Sequence, residues 1–364
     1  MNKNEIVTVE ITDFTKEGEG IGHADGYTLF VKDAVIGDTV RARITRPKKG
    51  YAYARMEEIL TPSKNRTAMR CPEARRCGGC RLQEYAYDKQ LEFKQKLVLD
   101  ALRRVGGFSG AEAVPCPHTE QGASFLQDRG HMREESVPDS GALREAAQTA
   151  SGTVSATWRI PVYPALGMDT PYRYRNKAQY PIAEVTDRKS GTRQIAAGFY
   201  AGRTHSLIPI EDCLLTHEVN AGILKTFLDY MSRFHVSAYD EMSGKGLVRH
   251  LLVREGFSSG EILVCPVVNG DGLPHTQELI AALQGIPGVK SICININKKP
   301  GNTILGAVTR PLLGDPWIRD ELGGHSFRIS PRSFFQVNPV QTEVLYGEAL
   351  RAAALTGTET VYDL

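Results

Sequence analysis

Three cysteines fall within ten residues, Cys71, Cys77 and Cys80, in the stretch CPEARRCGGC. The spacing C-x5-C-x2-C brings three thiolates within reach of one centre, and Gly78 and Gly79 let the backbone wrap tightly around it. Tetrahedral zinc and an iron–sulfur cubane each take four ligands, so a fourth is required. Arg70, Arg75, Arg76 and Arg81 surround the stretch. Their charge favours thiolate over thiol and offsets the negative charge of a thiolate-bound cluster. Unligated cysteines in a basic loop are the plain alternative. For the fourth ligand, Cys265 in EILVCPVV and Cys293 in KSICININ sit in apolar runs, where a thiol behaves as a small hydrophobe. Cys116 lies in a polar stretch. Cys213, in IPIEDCLLTH, follows a strand-like run and precedes a helix-like one, which makes it the best candidate. The long intervening chain is no obstacle, because loop closure costs only about 0.6 kcal/mol per doubling of length.

Two further stretches combine cations with aromatics. Between Arg41 and Arg55 stand Arg41, Arg43, Arg46, Lys48, Lys49 and Arg55, with no acid and with Tyr51 and Tyr53 interleaved. Such side chains would track phosphates while a tyrosine stacks on a base; a solvated hairpin is the alternative. In PYRYRNKAQYP, a period of two places Arg173, Arg175 and Lys177 on one face and Tyr172, Tyr174 and Tyr180 on the other. That cationic face would run along an RNA backbone, or is simply an exposed strand with scattered charges. In RISPRSFFQVNP, the amides Gln336 and Asn338 fall in line before a helix that Pro339 starts, and suit a polar ligand.

These groups need elements to hold them. Residues 5 to about 60 alternate apolar and polar in IVTVEITDF, YTLFVKDAV and DTVRARITR, between glycine turns, which predicts a small OB-like barrel. A helix follows, with Tyr87, Leu91, Val98, Leu102 and Val105 at helical spacing and a stop at Gly106–Gly107. Periodicity vanishes over 112–158, a polar stretch that reads as a flexible insert. Beyond it, strands are expected at RQIAAGFYAG, LVRHLLVRE, EILVCPVV, KSICININ, NTILGAV and HSFRISPRSFFQVN. Helices are expected at HEVNAGILKTFLDYMSRF, PHTQELIAALQGI and PVQTEVLYGEALRAAAL, giving an α+β domain. The final ETVYDL reads as the first strand of a further parallel sheet, so the sequence looks truncated.

Composition narrows the class. At 364 residues the chain has room for two or three domains, and 41% hydrophobic with 24% charged residues is ordinary for a globular protein. No apolar run approaches the roughly 20 residues of a membrane span, and the start lacks a signal-peptide core. A cytoplasmic location without membrane partners is expected. Seven cysteines are too few for a disulfide scaffold. A net charge of +2 leaves any nucleic-acid surface to local patches.

Taken together, these motifs resemble the RNA uracil-C5 methyltransferases, in the TRAM-containing, iron–sulfur branch that methylates 23S ribosomal RNA. CPEARRCGGC with the glutamine of RLQ is similar to the family's cluster motif, and EDC at Cys213 falls where its fourth cysteine is expected. PYRYRNKAQYP, RHLLVR and SPRSFFQVNPVQTEVLY match further blocks in order. The resemblance implies a multidomain layout: a TRAM-like β-barrel over 1–61, a cysteine segment and helix over 62–111, and the insert over 112–158. A central α+β RNA-binding domain over 159–330 and the beginning of a Rossmann-like α/β methyltransferase domain over 331–364 complete it. It implies Cys71, Cys77, Cys80 and Cys213 as ligands of a 4Fe–4S cluster, Gln336 as a contact to S-adenosylmethionine, and a monomer acting on a single-stranded or loop uridine of ribosomal RNA. Arg41, Arg43, Arg46, Lys48, Lys49, Arg173, Arg175 and Lys177 are the expected RNA contacts. In the family a cysteine thiolate adds to carbon 6 of uracil, and a carboxylate later removes the carbon 5 proton. Neither Cys265 nor Cys293 matches that nucleophile's motif, so the expectation is a chain that binds cluster and RNA, with the catalytic cysteine and base beyond Leu364. A non-catalytic TRAM and cluster RNA-binding module, a radical S-adenosylmethionine enzyme with a TRAM domain, and a colourless zinc ribbon are the alternatives. The x5 gap and the available Cys213 argue against the radical class, whose spacing is C-x3-C-x2-C.

Overall fold

The computed structural model describes residues 1–115, 159–186, 191–202 and 204–362. Cys116, nearly all of the expected insert and the final Asp363 and Leu364 lie outside these residues. The chain forms two compact units, Met1–Thr67 with Glu84–Gly167, and Ala68–Gln83 with Met168–Leu364. The expected segment 62–111 is thereby divided: its cysteines belong to the second unit and its helix to the first.

In the first unit, β1 (Ile6–Phe14), β2 (Gly20–Ala24), β3 (Tyr27–Lys32), β4 (Thr39–Pro47) and β5 (Tyr51–Thr61) close into a barrel in the order β1-β2-β3-β5-β4. Alternation puts Val7, Val9, Ile11, Leu29, Val31, Val40 and Ile44 in a common core. Gly22 is required by closeness, since a Cβ there would stand 2.3 Å from the Glu10 carbonyl oxygen. Helix α1 (Tyr87–Asp100) packs through Phe93, whose ring meets Phe14 edge-on at 5.2 Å, and Lys96 reaches Asp13 at 2.8 Å. The expected apolar stripe is not what docks it: Val98 and Val105 are 53% and 88% exposed. A π-helical turn over Ala101–Val105 follows, and Gly107, at φ 72°, ends the run. Strands β6 (Ala111–Ala113) and β7 (Ile160–Val162) pair in parallel on either side of the undescribed segment, so the polar stretch does not begin at 112.

The second unit is built on a seven-stranded sheet in the order β10-β9-β8-β11-β12-β13-β14. These are β8 (Lys177–Thr186), β9 (Arg193–Tyr200), β10 (Leu207–Pro209), β11 (Val248–Glu255), β12 (Ile262–Val268), β13 (Val289–Ile296) and β14 (Val308–Leu313). All neighbours are antiparallel except β12 and β13. One face, through Leu251, Val253, Val264 and Ile292, packs on helices α2 (Val219–Arg233) and α3 (Thr276–Gln284). The other, through Leu252, Leu263, Cys265 and Cys293, is covered by Ile318 and Ile329 of a hairpin, β15 (Ile318–Leu322) and β16 (His325–Ile329). Burial on both faces explains the near-continuous apolar runs of β11 to β13.

Helix α4 (Pro339–Ala353) follows a loop over 330–338. Two expectations are corrected, and one strand was missed. NTILGAV is irregular until Val308, and the strand β15 was not read in the sequence. Among the described residues after Ile329 there is one helix and no strand: of the expected strand ETVYDL, residues 359–362 are irregular and Asp363 and Leu364 lie outside the described residues.

Candidate functional site

The cysteine segment lies against β9. The Gly78 N–H donates to the Tyr200 carbonyl at 3.3 Å, and Cys77 bridges Ala201. A Cβ on Gly78 would come within 3.2 Å of Gly202, so a side chain there would lift the loop off the strand. Cys77 donates its N–H to the Glu73 carbonyl at 2.7 Å, a tight turn that brings the second thiol back towards the first. Gln83 holds both ends, accepting from the Cys71 N–H at 2.8 Å and hydrogen-bonding the Cys80 thiol. Cys213 comes from the loop after β10. Its carbonyl and that of Thr216 each accept from Arg173 Nη1 at 2.9 Å, while Asp212 takes the guanidinium at 2.7 and 2.6 Å.

Cys71, Cys77, Cys80 and Cys213 together line one cavity of about 320 Å³, closed in by Arg175, Lys177, Phe199 and Ile210. Among the described residues no three His, Cys, Asp or Glu side chains converge on a single metal ion. Tetrahedral zinc, with bonds of about 2.3 Å, needs that convergence; the thiols instead frame a space.

Burial dominates the thiols. It pushes Cys80 up to about 11, with the other thiols adding to the rise. It also raises Cys77 and Cys213, against the N–H groups of Gly79 for the former and of Leu215 and Thr216 for the latter. The arginine effect expected from the sequence is not what sets these groups. Arg76 pairs with Glu73 at 2.7 Å and Arg70 stacks 4.8 Å over Tyr172. The cations that line the cavity are Arg175 and Lys177, with Arg254 beside Lys177. Burial first, then Arg254 and Arg175, lowers Lys177. Arg254 stands opposite Lys177 across β8 and β11, is 2% exposed, and is lowered by burial to about 10. One Arg254 nitrogen donates to the Ser333 carbonyl, and its Nε has no partner. An anionic thiolate-bound group among the four thiols would offset these three cations. The donor set fits such a group. Arg254 was missed in the sequence reading, although a charged residue inside the apolar run RHLLVR was the available signal.

The other expected residues fare unevenly. Arg41 pairs with Glu58 at 3.0 Å and Arg43 binds Glu57 at 2.5 and 3.0 Å, so neither is a free cation; the acids come from β5, beyond the stretch that looked free of them. Arg46, Lys48 and Lys49 are exposed and, among the described residues, form no ion pair. Beside them, Phe30, Tyr51 and Tyr53 make a three-ring cluster with centroids 5.5 to 6.0 Å apart. The alternating face at 172–177 does not exist, because the chain is irregular until Lys177 and Arg173 has φ 56°. Arg173 is thus a bracket for the Cys213 loop, while Arg175 and Lys177 face the thiol cavity. Gln336 is half-buried in the 330–338 loop, its carbonyl accepting from Asn176 Nδ2 at 2.9 Å. Asn338 is the N-cap of α4, accepting from the Gln341 N–H at 3.1 Å, which gives its side chain a structural role. Cys265 and Cys293 are fully buried among apolar side chains.

Residues 2–56 match the TRAM domain. Over all 364 residues the chain is 36% identical to a protein of Halalkalibacterium halodurans and to one of Clostridium acetobutylicum, each described as an uncharacterized RNA methyltransferase, and spans 68% of their length. A Listeria monocytogenes protein of the same description is 34% identical over 363 residues. Among solved structures, the Pyrococcus abyssi tRNA (uracil-54, C5)-methyltransferase in complex with S-adenosyl-L-homocysteine is similar in fold, with a TM-score of 0.60 at 20% identity. That likeness covers 94% of this chain and 64% of the other.

Proposed function

The chain belongs to the RNA methyltransferase family, with a TRAM domain at its N-terminal end, and from that premise we propose that it serves S-adenosylmethionine-dependent methylation of carbon 5 of a uridine in 23S ribosomal RNA. The observation that carries the reading is the meeting of Cys71, Cys77, Cys80 and Cys213 at one cation-lined cavity. These four would hold a 4Fe–4S cluster, with Arg175, Lys177 and Arg254 offsetting its charge. Held by these four thiolates, a cluster would join the cysteine segment to the Cys213 loop, a structural role, since methyl transfer to uracil needs no electron from it.

S-adenosylmethionine supplies the electrophilic methyl group, and Gln336 is the proposed contact to it. Asn176 fixes the loop there, its N–H donating to the Val337 carbonyl at 3.0 Å and its side chain to that of Gln336. The RNA strand is met by Arg46, Lys48 and Lys49 with the rings of Phe30, Tyr51 and Tyr53, a combination suited to phosphates and an unstacked base. The covalent nucleophile is neither Cys265 nor Cys293, both sealed in the core. Nucleoside analysis of RNA from cells lacking the gene tests the assignment. Loss of 5-methyluridine from 23S ribosomal RNA, with tRNA unchanged, is expected; loss from tRNA alone, or from neither, overturns it.

A further inference from the structure

The β15–β16 hairpin has two unlike faces. Ile318, Asp320, Leu322 and Ile329 are buried. Asp320 is fully enclosed and accepts the N–H groups of Phe257 at 3.1 Å and Ser258 at 2.9 Å, which fastens the hairpin to the β11–β12 turn. The other face carries Trp317, Arg319 and Arg328. Arg319 and Arg328 stand directly opposite each other across the two strands. Like charges so placed repel and cost stability. Nothing in the described protein neutralises them. Glu321 shares the face without pairing to either, and Glu261 spends its contact on the Arg319 backbone N–H at 2.7 Å. The two guanidinium groups instead lie over one indole, Arg319 at 5.5 Å and Arg328 at 4.6 Å from the Trp317 ring centre.

We propose that Trp317, Arg319 and Arg328, on the hairpin of the second unit, form an RNA-docking surface that binds consecutive backbone phosphates. The ring fixes the guanidinium planes by cation–π attraction and leaves their donor edges to solvent. Two planar forks on directly paired residues match phosphate oxygens, which accept in pairs from Arg. Because the hairpin is already rigid, little ordering is needed on binding. The proposal rests on the reading that this chain binds RNA, and the phosphate backbone is the anion that such a substrate brings to any exposed cationic face.

The test uses the full chain and a fluorescein-labelled single-stranded RNA of mixed sequence, with affinity measured from 50 to 200 mM salt. Replacing Arg319→Gln with Arg328→Gln removes two phosphate contacts, so the log–log salt slope becomes shallower by about 1.4, at roughly 0.7 per contact on a single strand. Arg319→Lys with Arg328→Lys keeps both charges and retains the slope. In a Trp158→Phe background, Trp317 is the remaining tryptophan and its fluorescence changes on titration with RNA. A separate Lys48→Gln/Lys49→Gln variant reports on the barrel. If the unaltered chain binds no RNA, the underlying reading fails and this one with it. If binding responds to Lys48 and Lys49 but keeps its slope in the Arg→Gln pair, this inference alone is overturned. Binding of polyglutamate, abolished by the Arg→Gln pair while RNA binding is unaffected, makes the surface a protein-docking site and also overturns it.

Discussion

Arg173 acts through its backbone as much as through its charge. At φ 56° it turns its side chain away from the line of Arg175 and Lys177 and towards Asp212 and the two carbonyls around Cys213. Arg173→Ala therefore loosens the loop that carries the fourth thiol. After allowing for partial exposure of the pair, the expected cost is roughly 1–2 kcal/mol, read as a lower urea midpoint. The thiols carry a second prediction. With Cys80 pushed up from 9.0 to about 11, the folded metal-free protein holds its proton more tightly than the unfolded chain does. That contribution is fully present below pH 9 and is lost as pH rises through about 11, so the metal-free protein weakens across that window. Metal must displace these protons, so metal uptake strengthens as pH rises from 7 to about 9. A flat stability between about pH 9 and 11 contradicts this account of the cavity.

The loop over 330–338 and helix α4 form the element that presents Gln336. Pro339 at the first helical turn and the Asn338 cap set where α4 begins. Asn338→Ala removes that cap at an expected cost of about 1 kcal/mol, measurable by denaturant unfolding; no change would show that the cap is idle. Elements with one buried face were legible in the sequence, because alternation or helical spacing reports directly on a core: β1, β4, α2 and α3 are of this kind. The partners of charged residues were not. Glu57 and Glu58, from the neighbouring strand, neutralise Arg43 and Arg41, a pairing set by register that residue spacing does not reveal. PYRYRN alternates as a strand does, yet backbone torsion at a single arginine breaks the pattern. Helix α1 misled in the opposite direction: of its evenly spaced apolar residues Val98 and Val105 are exposed and the others only half-buried, while Phe93 is the one buried residue of the helix.

On the scale of the whole molecule, the thiol cavity joins two stretches of chain more than a hundred residues apart, within one compact unit. The 68–83 segment meets the rest of its unit through the Gly78–Tyr200 hydrogen bond, the Cys77–Ala201 bridge and the stacking of Arg70 on Tyr172, and the proposed cluster would add a covalent fastening through four thiolates. Arg75, Arg76 and Arg81 are already exposed, so removing the cluster should loosen the backbone around them and speed trypsin cleavage there well before the sheet is cut, as a time course on loaded and stripped protein would reveal. Equal cleavage rates would assign the fastening to protein contacts alone. The central claim is tested most directly by counting metal after anaerobic purification, in the unaltered protein and in Cys213→Ala. The account predicts roughly four irons and four sulfides per chain, with broad absorption near about 400 nm that collapses in the variant. Stoichiometric zinc without visible absorption, or a full cluster retained by Cys213→Ala, would contradict it.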